Sequence, residues 1–273
     1  MRNQSGNISR GPKTVYTEDL KGEINKPGKT NYALVIATND YNDNQDWRDL
    51  RNPVNDATEI ENILKNRYGF LVKTLVNKPR DSILLAIIDY KAKLQENDNL
   101  LIFIAGHGYF DLDYSDGFIV TTDSKPLNSD FGRDSYLQMA KLNRLIDNLP
   151  SKNIFIMFDI CFGAHFDFNA RDLSLSDYSS DISDITIDEL IERKKDYYTR
   201  IYLASGKGEV PDYWQNSLKH SPFASKLIDI LNSEDEFVTP GKIFRSMERN
   251  ITEPVLKEFG RHEPRGDFFL KVN

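Results

Sequence analysis

The chain has 273 residues, 39% apolar and 11% aromatic, enough to bury one large α/β core or two small ones without covalent staples. A net charge of −7 argues against generic nucleic-acid binding, no apolar stretch approaches the ~18 residues that span a bilayer, and a single cysteine excludes an intramolecular disulfide. Together with the lack of a basic start leading into an apolar segment, these features fit a soluble protein of a reducing cytoplasm, with no membrane or nucleic-acid partner.

Residues 1–30 are polar and broken by glycine and proline, and read as a flexible leader ahead of a single domain at 31–273. Their "GKT" lacks the glycine spacing of a phosphate loop and precedes a strand instead of following one. From Tyr32 onward, apolar strands alternate with helical patterns, the sequence form of a mainly parallel sheet covered by helices on both faces. "YALVIAT" is the first strand, and the helix after it places Ala57, Ile60, Ile63 and Leu64 on one face, with Gly69 just beyond its end. "FLVKTLV" is the second strand, followed by a helix that buries Ile83, Ile87, Tyr90 and Leu94.

"LLIFIAG" is the third strand, a short hairpin is expected in "DGFIVTTD", and a helix covers roughly 138–149. The fourth strand lies in "IFIMFDICFG", "RIYLAS" is the fifth, and "DFFLKV" (267–272) is expected to close a six-stranded sheet. Ser221 and Thr239 each precede a proline and a helical pattern, as helix N-caps do. Residues 167–199 form a long insertion rich in Asp and Ser, with one helix near 186–196; such insertions are regulatory or passive.

The third strand ends in "AGHG" and the fourth in "DICFG", which delivers His107 and Cys161 to the carboxyl ends of two central strands, the edge at which open α/β sheets bind ligands. Adjacent strands lie about 5 Å apart, so the two side chains can meet across a substrate. A lone cysteine is most often core filler. Beside a histidine, whose ordinary pKa lies near neutrality, a thiol becomes a nucleophile, and the pair supplies what a cysteine hydrolase needs. Gly108 and Gly163 permit close backbone approach, and the main-chain N–H groups of Gly108 and Cys161 are placed to hold an oxyanion.

The interval of 54 residues from His107 to Cys161, together with "LRNPVNDA", "DNLLIFIAGHG", "DICFG" and "HSPFASKLIDIL", resembles the caspase and metacaspase clan over most of the chain. Ile160 and Ala164 replace serines of the metacaspase pattern, and Pro53 stands where many metacaspases have a second cysteine. The resemblance implies a caspase-like sandwich and a cysteine endopeptidase with Cys161 as nucleophile, His107 as general base, and Gly108 with Cys161 at the oxyanion. It also implies an S1 pocket lined by Asp56 and Asp159; a helix-start carboxylate is the plain alternative for Asp56. Two carboxylates call for a cation, so cleavage after Arg, less after Lys and not after Asp is expected; Leu50 stands where animal caspases place a pocket arginine.

The partners implied are a protein or peptide substrate and an upstream activating protease or sensor protein, by analogy with regulated cell death or phage defence. Self-cleavage or cutting by another protease in the insertion would use Arg171, Arg193, Lys194, Lys195 or Arg200. No cofactor is required, although "DLDYSDG" (111–117) has part of a calcium-loop pattern and some metacaspases use calcium. His165 has too few companions for a structural zinc site, and His220 and His262 read as surface residues. The rival readings are a catalytically silent caspase-like binding or scaffold module, and another cysteine hydrolase on a related scaffold.

Overall fold

A computed structural model describes residues 29–43, 45–167, 169–173, 186–194, 196–206, 219–247 and 253–273. Its strands and helices in chain order are β1 (Asn31–Ala37), α1 (Pro53–Asn66), β2 (Leu71–Val76), α2 (Arg80–Lys93), β3 (Asn99–Gly106), β4 (Gly108–Asp111), β5 (Asp116–Ile119), β6 (Leu137–Gln138), α3 (Met139–Asp147) and β7 (Asn153–Ile160). After them come β8 (Arg171–Asp172), α4 (Ile187–Lys194), β9 (Thr199–Ala204), α5 (Pro222–Leu231), β10 (Phe237–Val238), α6 (Pro240–Met247), β11 (Val255–Glu258) and β12 (Leu270–Lys271).

Among the described residues, seven strands form the main sheet in the order β2-β1-β3-β7-β9-β11-β8. The first five run parallel, and β7 at the centre is buried at every position, which is why it reads as a continuous apolar run. One face carries Leu34, Ile102 and Ile156 against α2 and α3; the other carries Val35, Phe103 and Met157 against α1, α5 and α6. The expected helical stripes are the buried ones, and Ser221 caps α5 by accepting the N–H of Ala224 at 2.9 Å.

The far edge of the sheet differs from expectation. Residues 267–272 do not enter it: only Leu270–Lys271 is extended, and it pairs antiparallel with β10 in a separate ladder. Phe268 and Leu270 are apolar because they bury against Phe155 and the α5–α6 side of the core, so their hydrophobicity reports burial and not membership of the main sheet. The places at the edge go to β11 and β8, both antiparallel, short and half polar, without the apolar run that marks an interior strand.

The hairpin also lies earlier than expected, as β4 and β5, with β6 completing a three-stranded sheet. Asp111 sets the turn by accepting the N–H groups of Asp113 and Tyr114, and Ser115 adopts a positive φ of 49°.

Asp267 is buried at the approach to β12, and burial pushes its pKa up to about 7. As pH rises above 3.8 the unfolded chain ionises this group while the folded chain resists, so stability falls until about pH 7 and is level beyond it. Asp267→Asn is expected to flatten that part of the stability curve, read by denaturant unfolding across pH.

Candidate active site

The β3–β7 register pairs Ala105 with Asp159 and Gly106 with Ile160, so His107 and Cys161 leave the sheet as the next residues of neighbouring strands. The backbones stay in contact beyond the sheet. A Cβ built on Gly108 would fall 1.9 Å from the carbonyl oxygen of Cys161 and 3.3 Å from its nitrogen, so only glycine fits there. Cys161 is half-buried.

A clamp holds His107. Its backbone N–H donates to Tyr41 Oη at 2.8 Å, and that hydroxyl donates to the Thr38 carbonyl at 3.0 Å. The imidazole lies against the rings of Tyr41 and Trp47, with centroids 4.9 and 5.7 Å away, and Trp47 is fixed by donating to Tyr136 Oη at 2.9 Å. Nε2 lies 2.8 Å from the carbonyl oxygen of Arg48. A carbonyl only accepts, so Nε2 carries a proton, and Nδ1 is the nitrogen at which a general base would exchange one. Tyr41, Trp47 and Arg48 escaped the sequence reading; two aromatic residues in an otherwise polar loop beside a strand end were the available signal.

Asp56 and Asp159 are almost fully buried and meet at one residue. The N–H of Ser221 donates to Asp56 Oδ2 at 3.3 Å, and its hydroxyl donates to Asp159 Oδ2 at 2.5 Å. His220 keeps a partly exposed side chain, and beyond its reading as a surface residue its Nδ1 lies 2.7 Å from Asp56 Oδ1. The plain alternative for Asp56 is partly realised, since it sits in the first turn of α1.

His262, expected at the surface, instead has a buried side chain that accepts the N–H of Arg200 at Nδ1; burial first, then Arg171 and Arg200, holds its pKa down to about 4. His165 stacks on Phe110, and burial, followed by the charge of Lys257, lowers its pKa. Gly163 packs against the sheet: a Cβ there would meet those of Phe158 and Ala204 at 2.9 and 3.2 Å.

The "DLDYSDG" segment does not fit a calcium site. Asp111 is ion-paired with Arg133 at 2.8 Å and caps its own turn, while Asp116 accepts from Gln138 and from the N–H of Gly117. Among the described residues no group of three or more His, Cys, Asp or Glu is arranged to hold a metal ion.

Arg171 lies in β8 with its side chain largely exposed and paired with Glu258; Arg193 and Lys194 lie on α4. Lys195, residues 174–185 and the leader up to residue 28 lie outside the described residues. Arg200 is not open to cleavage in the folded chain. It is fully buried in β9, donating to the carboxylate of Asp147 and to the carbonyls of Asp147, Leu149, Ser151, Lys152 and Thr199.

A family model described as the caspase domain matches residues 30–264. The chain belongs to the caspase-domain family. This caspase domain is also similar in fold to a solved structure, protein GSU0716 from Geobacter sulfurreducens, at 16% identity with a TM-score of 0.56 over 86% of this chain and 94% of that one. No curated protein matches it. The domain is thus of a caspase-like cysteine peptidase family, on an α/β scaffold with a mainly parallel central sheet, and none of its described helices is long and apolar enough to cross a membrane.

Proposed function

We propose that the domain is a cysteine endopeptidase that cuts protein substrates after arginine. The observation that carries this reading is the contact of the two strand ends, with His107 held through Nε2 and Gly108 packed on the Cys161 backbone. In the proposed reaction, Nδ1 of His107 takes the thiol proton of Cys161, and the sulfur attacks the scissile carbonyl. The N–H groups of Gly108 and Cys161 stabilise the oxyanion, and His107 returns the proton to the leaving amine. Water then hydrolyses the thioester, with His107 again as base. These steps require no metal or organic cofactor. The exposed Arg171 side chain is open to a protease, and activation is assigned to cutting there or on α4, by the enzyme itself or by an upstream partner.

Asp56 and Asp159 are assigned to the floor of the S1 pocket. Buried carboxylates favour a cationic guest, and the planar fork of arginine engages two acceptors where lysine offers a point charge. In a peptide library varied at P1, cleavage after Arg over Lys is expected, with none after Asp. Asp56→Ala should reduce the Arg preference by about ten-fold or more, the scale of a lost charged contact. Cleavage after Asp, or an unchanged profile in Asp56→Ala, overturns the S1 assignment.

A further inference from the structure

Among the described residues, three half-buried aromatic side chains cluster at the turn that follows Cys161, and the proposed chemistry uses none of them. Phe110 on β4, Phe162 directly after the cysteine, and His165 in the short 3-10 turn Gly163–His165 form a closed triangle. Their ring centroids are 4.4 Å apart for Phe110 and His165, 6.4 Å for Phe110 and Phe162, and 6.2 Å for Phe162 and His165. Strand alternation brings Phe110 there: it is two residues beyond Gly108, whose missing Cβ would point at Cys161.

Phe162 adopts φ 59° and ψ 17°, the left-handed region that a bulky residue seldom occupies. Such a conformation is strained for a side chain with a Cβ and persists where the surroundings impose it. Glycine would take the same turn without strain, so the ring at this position is not there to make the turn.

The triangle and the paired carboxylates lie on opposite sides of Cys161. Asp159 alternates with Phe155 and Met157 on the face covered by α1 and α5. The turn after the cysteine packs instead on Phe158, Ile160 and Ala204, which belong to the face covered by α2 and α3. On the proposed S1 assignment, the side of Cys161 away from Asp56 and Asp159, beside β4, is the one left for the leaving half of a peptide.

We propose that Phe110, Phe162 and His165 form the S1′ subsite and select an apolar or aromatic P1′ side chain. The assignment rests on the reading of Cys161 as a peptidase nucleophile. His165 adds an apolar ring face, since burial disfavours its charged form, and Lys257 nearby opposes a basic P1′ residue.

The test uses peptides with P1 Arg that differ only at P1′, as Phe, Leu, Gly or Lys, with the full chain. Wild type should favour Phe and Leu over Gly and Lys by about ten-fold or more in kcat/KM, the discrimination an apolar subsite delivers. Phe110→Ala and Phe162→Gly should each bring that ratio towards one while the P1 preference for Arg over Asp persists. Phe162→Gly should melt close to wild type, because relief of the left-handed turn offsets the lost ring contacts. A flat P1′ series in wild type, or an unchanged ratio in both variants, overturns the S1′ assignment and leaves the peptidase reading standing. If no peptide is cut in a Cys161-dependent way, the peptidase reading falls and takes this assignment with it.

Discussion

Cys161→Ala and His107→Ala are each expected to lower peptidase kcat/KM by at least about 10³-fold, because each removes a member of a unit that works only when complete. Without the sulfur no acyl-enzyme forms. Without the imidazole the thiol keeps its proton, and the leaving amine departs without an acid. The double variant should be no worse than either single one, which separates a coupled pair from two independent contributors. Folding should be almost untouched in the cysteine variant, since Cys161 is half-buried and stands beyond the end of β7. In His107→Ala the ring contacts with Tyr41 and Trp47 disappear, but the backbone N–H that holds Tyr41 Oη remains. Circular dichroism and melting temperature should therefore stay close to wild type in the first and fall modestly in the second. Substantial cleavage by well-folded Cys161→Ala would rule out the nucleophile.

The parts of this design that were legible in the sequence are those written in apolar periodicity. β3 and β7 are buried on both faces and must be apolar throughout, so the residues at which the pattern stops, His107 and Cys161, mark the sheet edge where chemistry is done. Edge strands lack that signature. β11 and β8 bury one face or none and are recognisable only by their pairing, whereas Phe268 and Leu270 carry a strand-like pattern for reasons of core packing.

The tautomer of His107 was illegible because its determinant is the backbone carbonyl of Arg48, which any residue would supply; only the path of the loop places it. The pairing of His220 with Asp56 was illegible because nothing in its neighbours in sequence announces a partner 164 positions away. Arg200 looked like an exposed cleavage site since arginine is seldom fully buried; its cost is offset by five carbonyls and one carboxylate, which gather there only in the folded chain.

Gly108→Ala offers a sharper separation of chemistry from packing. The added methyl would stand 1.9 Å from the Cys161 carbonyl oxygen and 2.9 Å from its carbon, far inside van der Waals contact, and the obstacle is backbone that no rotamer change can move. The strand ends must therefore part. His107, the residue before Gly108, is tethered by its N–H to Tyr41 and by Nε2 to the Arg48 carbonyl, so the displacement falls on the Cys161 turn and on the N–H groups proposed for the oxyanion. A loss of about 10²- to 10³-fold in kcat is expected, the scale of a missing oxyanion donor, with about 1–3 kcal/mol of stability lost to overpacking. Gly163→Ala is the comparison: its methyl would meet the Cβ atoms of Phe158 and Ala204 at 2.9 and 3.2 Å, inside the sheet packing and away from both N–H groups. That variant should lose stability of the same order while its kcat falls far less. The two glycines are read together by thermal unfolding and steady-state kinetics on an arginyl peptide. A Gly108→Ala protein that turns over like wild type would remove Gly108 from the oxyanion site, and equal kcat losses in both variants would assign the effect to packing alone.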